Sequence, residues 1–195
     1  MKPAGFVLAG GHSRRMGRDK ALLPYAGATL VEHALSVLRT VCGEVAIAGD
    51  REDLAQYARV IPDVFADCGP LGGIHAALAQ SRQEWNIFLA VDLPCIGAED
   101  LIRLVDERGE LGAAAYGDGR LQPLCGIYHR RLAEPIAQAL AAGERAVIPV
   151  LTAACAAEGA GLVKVELAEA AALANLNTPD DLTLWTGRPE SFFRS

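Results

Sequence analysis

Short apolar runs alternate with amphipathic stretches along nearly the whole chain, and this alternation restricts the fold more than any other feature. An apolar run of strand length hides both faces only inside a sheet covered by helices on either side. Residues 4–9 read as a first strand ending in glycine. Thr29 begins a helix, because Thr29 and Glu32 have capping-box spacing and Leu30, Ala34, Leu38 and Val41 then form one apolar stripe. Residues 44–48 form a second strand, 53–58 a short helix and 59–61 a third strand. Residues 70–81 read as a helix with Leu71, Ile74 and Leu78 turned inward. Residues 85–91 are the most apolar segment, as a central parallel strand would be.

A helix over 99–108, a strand over 112–116, a turn at 117–119 and a strand over 124–128 follow. Helices over 132–142 and 147–157 and strands over 162–165 and 173–176 complete the alternation. Thr178-Pro179-Asp180-Asp181 is a helix start, with a threonine cap, proline at the first helical position and acids in the first turn. The pattern implies an α/β fold, a three-layer, doubly wound and mostly parallel sheet. No internal repeat or Ser/Gly linker interrupts it, so residues 1–195 are expected to form a single domain with 186–195 as a peripheral tail.

Composition narrows the partners. The formal net charge is −6, which argues against a nucleic-acid coat or a basic membrane anchor. No signal peptide is visible, and no stretch approaches the ~20 apolar residues of a membrane span. The cysteines are five in number and none form a C-x-x-C pair, which fits reduced thiols in a cytoplasmic protein.

In doubly wound sheets ligands sit at the carboxyl ends of strands. Three loops with unusual chemistry leave predicted strand ends, at 10–20, 63–73 and 92–95. The first belongs to LAGGHSRRMGRDKALLP, residues 8–24, which concentrates basic side chains in an acidic chain. Its glycines allow a tight turn and a close approach of amides to an anion, and Ser13, Arg14, Arg15 and Lys20 can reach phosphate oxygens. Gly17 is followed by Arg18-Asp19-Lys20, so a Walker A loop is excluded, and G-x-G-x-x-G is absent as well. The loop is a phosphate loop of another class, or else a solvated basic turn.

In AVDLPCI, Asp92 ends the most apolar strand, where a poorly hydrated carboxylate attracts a cation such as Mg²⁺, or else caps the next helix or pairs with a local arginine. In the segment 61–78, Asp63 ends a strand, and Gly69, Gly72 and Gly73 open a helix. Those glycines leave room for a flat ring or a phosphate, or serve tight packing. In NLNTPDDL, Asn175 and Asn177 flank Leu176 and so point to one side, as ligands or as holders of a turn. The histidines show no metal spacing, and no Ser-His-Asp or Cys-His order supports covalent hydrolysis.

Together these segments resemble the molybdenum cofactor guanylyltransferase family, within the nucleotidyltransferases of Rossmann-like fold. LAGGHSRRMGRDK is similar to that family's Leu-Ala-Gly-Gly-x-Ser-x-Arg-Met-Gly-x-Asp-Lys signature, and GPLGG, VDLP, PLCGIY and NLNTPDDL follow in the family's order. The resemblance runs from about Gly5 to Leu182. It implies transfer of GMP from GTP to the terminal phosphate of molybdopterin or Mo-molybdopterin, with Mg²⁺, and a link to molybdoenzyme-maturation proteins. It implies that Leu8, Ala9 and Gly10 contact the nucleotide through backbone and that Gly11, Arg15 and Lys20 hold the triphosphate. Asp63 would bind the guanosine part, Gly69, Pro70, Leu71, Gly72 and Gly73 would border the base, and Asp92 would bind Mg²⁺. Asn175 and Asn177 would lie toward the pterin phosphate. Where some members carry an asparagine near the ribose, this chain reads AIAGD, and Gln122-Pro123 stands where His-Pro is frequent. Rival readings are a molybdopterin cytidylyltransferase, a sugar-phosphate nucleotidyltransferase, and a non-catalytic nucleotide-binding adaptor. GPLGG favours GTP over CTP, and the presence of both Lys20 and Asp92 favours an enzyme over an adaptor.

Overall fold

The computed structural model describes residues 2–10, 19–167 and 173. Strand β1 (Ala4–Leu8) is buried at every position. A small antiparallel hairpin follows, β2 (Pro24–Tyr25) with β3 (Ala28–Thr29). Its two-residue turn places Ala26 and Gly27 at φ 47° and 82°, the left-handed geometry that matches strand twist in tight hairpins. Sequence periodicity gives no sign of this hairpin, because two-residue strands carry no pattern. Helix α1 (Leu30–Val41) starts where the capping box predicts: the Thr29 N–H donates to the Glu32 carboxylate at 2.9 Å, and the Glu32 N–H returns to the Thr29 hydroxyl. Its buried face also includes Val31 and Leu35, wider than the stripe read from the sequence, because the helix spans β1 and β4 (Glu44–Ala48).

The helix expected over 53–58 is instead a single 3₁₀ turn at Glu52–Leu54. Leu54 is buried there and Asp53 is held by Arg51, so side-chain contacts fix a short turn rather than a helix. Strand β5 (Val60–Ile61), helix α2 (Gly69–Gln80), strand β6 (Trp85–Ala90) and helix α3 (Ala98–Asp106) lie within two residues of their expected places. Strand β7 (Gly112–Gly117) leads through a turn into β8 (Arg120–His129), which is twice the expected length. A 3₁₀ turn at Arg130–Leu132 precedes α4 (Ala133–Ala141), and then come α5 (Val147–Ala157) and β9 (Val163–Glu166). The expected strand over 173–176, apart from Leu173, the helix start at Thr178 and the tail lie outside the described residues.

The seven strands of the main sheet run in the order β5–β4–β1–β6–β8–β7–β9. Every neighbouring pair is parallel except those involving β8, which runs against β6 and β7. Helices α1 and α3 pack together in one layer, while α2, α4 and α5 form another. The result is the expected three-layer, mostly parallel α/β architecture. Phe6 stacks on Phe88 at 5.4 Å between ring centres, and Phe88 meets Tyr128 at 5.7 Å, which ties β1, β6 and β8 at the middle of the core. The chain winds outward from β1 to β4 and β5, then returns to the other side of β1 as β6. That reversal opens a crevice at the carboxyl ends of β1 and β6.

Candidate active site

A cavity of about 670 Å³ occupies that crevice. The end of β1 contributes Leu8, Ala9 and Gly10, the end of β4 Ala48 to Arg51, and the end of β6 Ala90, Val91 and Asp92. Asp63, Asp67, Gly69, Pro70 and Gly73 close the side toward α2. Parallel register brings the strand ends together: Leu8 pairs with Ala48 on one side and Ala90 on the other, and the Val91 N–H donates to the Leu8 carbonyl at 3.3 Å. A smaller hollow of about 370 Å³ lies elsewhere, along Gly5, Phe6, Glu44 and Arg82, and holds none of the expected site residues.

Lys20 and Asp92 meet in the larger cavity, with Nζ 3.3 Å from Oδ2. Both side chains are part-buried, at 16% and 26% exposure, so their charges act in a partly dry setting yet remain reachable from the crevice. Lys20 is fixed by a 3₁₀ turn, Lys20–Leu22, capped by Asp19, whose carboxylate accepts the Ala21 N–H at 3.0 Å. Asp92 follows β6 in a tight turn in which the Leu93 N–H reaches the Ala90 carbonyl. His33 of α1 holds the next segment through a 2.9 Å hydrogen bond between its Nε2 and the Pro94 carbonyl.

Asp63 lies across the cavity. Its N–H donates to the Asp50 carboxylate at 3.0 Å, while its own Oδ1 is buried with no partner among the described residues. Burial, reinforced by the nearby Asp50 charge, pushes the Asp63 carboxyl up to about 6. At α2 the glycines divide in role. Gly69, at φ 58°, opens onto free space at the cavity edge. A Cβ at Gly72 would stand 3.2 Å from the Asp63 Oδ2, and one at Gly73 would stand 3.3 Å from the Leu8 side chain. A side chain at either position would thus meet its neighbours in tight contact, and Gly73 also lines the crevice.

Leu8, Ala9, Gly10, Lys20, Asp63, Gly69, Pro70, Gly73 and Asp92 thus gather as the sequence suggests. Leu71 does not join them: it is fully buried in the core, because the face of α2 that carries it is turned onto the sheet. Gly72 lies behind Asp63 and is not part of the lining. Gly11, Arg15, Asn175 and Asn177 lie outside the described residues. Sequence reasoning missed Arg51, which is 2% exposed beneath the cavity. Its Nη1 donates to the Ala9 carbonyl at 2.7 Å, Nε and Nη2 donate to Asp53, and Nη2 also pairs with Asp19. The only signal was Arg-Glu-Asp after a strand end, which reads as an ordinary polar turn.

A family model described as the MobA-like NTP transferase domain matches residues 5–156. The chain belongs to the MobA-like NTP transferases. The molybdenum cofactor guanylyltransferase of Serratia proteamaculans is 35% identical, over 93% of this chain and 92% of its own length. That of Photobacterium profundum is 33% identical over 90% and 91%. Among solved structures, molybdopterin-guanine dinucleotide biosynthesis protein A from Archaeoglobus fulgidus superposes with a TM-score of 0.73 at 25% identity, covering 93% of this chain and 96% of that one. In this nucleotidyltransferase no disulfide joins the cysteines, all of which lie among the described residues, with Cys42, Cys68, Cys125 and Cys155 buried and Cys95 part-buried. Among the described residues no helix is long and apolar enough to cross a membrane.

Proposed function

We propose that this nucleotidyltransferase is a molybdenum cofactor guanylyltransferase: it transfers GMP from GTP to the terminal phosphate of molybdopterin or Mo-molybdopterin and releases pyrophosphate. The observation that carries the reading is the meeting of Lys20 and Asp92 at the crevice beside the ends of the glycine loop. The nucleophile is a phosphate that is already anionic, so the reaction needs charge neutralisation and in-line alignment more than a general base. Lys20, with Arg15 and Gly11 of the same loop, neutralises and holds the triphosphate, and the backbone at Leu8, Ala9 and Gly10 aligns it. Asn175 and Asn177 serve the pterin-phosphate side.

Mg²⁺ fits the donor set. The described lining sets Asp92 at the end of β6 beside the crevice, where carboxylate oxygen is a suitable ligand for a hard divalent cation. Among the described residues no cluster of three or more ligating side chains exists, so the protein would offer Asp92 while phosphates and water complete the shell, the usual manner of Mg²⁺ with nucleotides. When bound, the ion would supply Lewis-acid stabilisation of charge on the transferring phosphoryl group.

The base preference follows from Asp63. An ionised carboxylate accepts hydrogen bonds, and guanine presents adjacent N–H donors on its base-pairing edge, whereas cytosine presents one amino group beside acceptors. Gly69 and Pro70 leave the neighbouring wall open for a purine. Hand-over to molybdoenzyme-maturation proteins belongs to the same proposal. The test is pyrophosphate release in the presence of molybdopterin, with GTP and CTP titrated separately. Release with GTP alone supports the reading; equal or preferred use of CTP, or release independent of molybdopterin, overturns it.

A further inference from the structure

The geometry points to Arg51 as a positioning residue that clasps both ends of the glycine loop and so sets the nucleotide-binding shape of the crevice. This deepens the guanylyltransferase reading and rests on it for the identity of the nucleotide. In the chain the loop lies between Ala9, just past β1, and Asp19, which caps the turn at Lys20. One guanidinium joins these two points. Nη1 of Arg51 holds the Ala9 carbonyl at 2.7 Å, and Nη2 pairs with the Asp19 carboxylate. Asp53 takes the remaining face of the fork at 2.9 and 2.8 Å, which fixes the guanidinium plane.

Each contact has a consequence for the site. A trans peptide is planar, so fixing the Ala9 carbonyl also fixes the Gly10 N–H, which points the opposite way. Asp19 caps the turn that begins at Lys20, so its position sets where the Lys20 ammonium stands relative to Asp92. Arg51 touches neither Lys20 nor Asp92 in these contacts; it acts through the backbone and through Asp19. A lysine cannot replace it, because a single ammonium lacks the planar fork that reaches three partners at fixed angles. The charge balance is consistent: two carboxylates surround the guanidinium, and they hold its proton more firmly, Asp53 through its hydrogen bond first.

The test compares the full-length wild type with Arg51→Ala, Arg51→Lys and Asp19→Asn. Amide hydrogen exchange is read first, without nucleotide. The reporters are Ala21, Leu22 and Leu23 at one loop end, and at the other Val91, whose N–H is held by the Leu8 carbonyl. Phe88, fully buried in β6 between β1 and β8, reports global unfolding. Arg51→Ala and Arg51→Lys should both speed exchange at the two ends together and leave Phe88 protected. Affinity for GTP with Mg²⁺ should fall by tenfold or more, with KM rising more than kcat falls. Asp19→Asn should loosen the Lys20 end alone.

Wild-type exchange and affinity in a folded Arg51→Ala variant overturn the clasp, as does full rescue by lysine. If Arg51→Ala does not fold, Asp19→Asn decides: unchanged exchange at 21–23 and unchanged affinity overturn it. Coupled loosening in a protein whose wild type does not bind GTP would support the clasp and remove the guanylyl reading instead.

Discussion

Lys20 Nζ lies 3.3 Å from Asp92 Oδ2, although the two residues are 72 positions apart in the chain. Their meeting follows from the parallel pairing of β1 with β6, which brings the loop after one strand against the turn after the other. Removing Asp92 should therefore cripple the chemistry without loosening the fold. Asp92→Ala is expected to slow nucleotidyl transfer by on the order of 10²–10³ while its thermal midpoint stays near that of the wild type. A variant with wild-type turnover would strip Asp92 of the proposed metal-binding role.

Lys20→Ala should act mainly on the nucleotide. Losing a charged hydrogen bond of ~1.5–3 kcal/mol raises KM for GTP roughly 10- to 100-fold. Steady-state kinetics at limiting GTP checks this, and an unchanged rate there would contradict the assignment.

Asp63 gives the site a pH dependence. Its carboxyl is raised from 3.8 to about 6 by burial and by Asp50, so it is largely ionised at pH 7 and protonated at pH 5. If it accepts hydrogen bonds from guanine, GTP affinity should increase as pH rises through about 6, and Asp63→Asn should flatten that rise. Stability moves in the opposite sense. A raised folded value means stability present below pH 3.8 is lost as pH climbs through about 6. Asp63→Asn should consequently melt at a higher temperature than the wild type at pH 7. Calorimetric titration and thermal melts at pH 5 and 7 measure both effects.

Gly72→Ala tests whether α2 must lie against Asp63. The new methyl would sit 3.2 Å from Asp63 Oδ2 and 3.1 Å from the Cys68 Cβ. The carboxyl has to move, so KM for GTP should rise several-fold. Alanine's greater helix propensity, up to ~1 kcal/mol over glycine, would offset part of any loss in stability. An unaltered KM would mean that the position of this carboxyl does not matter to the nucleotide.

Leu71→Ala separates packing from binding. Leu71 is fully buried, and truncating such a side chain costs about 2–5 kcal/mol. The melting temperature should drop markedly, while KM for GTP in the folded fraction should stay close to wild type. A selective KM effect would return Leu71 to the binding surface.

The long amphipathic segments were legible because periodicity and capping agree: Thr29 and Glu32 announce α1, and Val147–Ala157 is α5 at both boundaries. The crevice lining was legible at Gly10, Asp63 and Asp92 because each closely follows the end of a strand, and at Lys20 because it belongs to the concentrated basic stretch before a capped turn. Arg51 escaped notice because two of its three partners, Ala9 and Asp19, lie 42 and 32 residues away, which no local spacing encodes. Leu71 was misplaced because it stands within a motif, whereas its direction is set by helix rotation. The direction of β8 was invisible for a related reason: an apolar alternating run looks the same whichever way it threads the sheet.

That reversed strand has a consequence for how such a molecule can change. Cys125 pairs with Leu89, so the first residues of β8 run past the end of β6, and Leu124 reaches the cavity. On this side the crevice is walled by a hairpin whose tip, Asp118 and Gly119, has φ of 50° and 73°, rather than by a strand tied to a crossover helix. Residues can be added or exchanged at that tip without displacing any helix. The two sides of the crevice are thus under unequal constraint: alterations beside β4 and α2, or in the buried stretches of β7 and β8, propagate into the core, whereas the turn at Asp118 and Gly119 can diverge while the chemistry across the crevice is inherited intact.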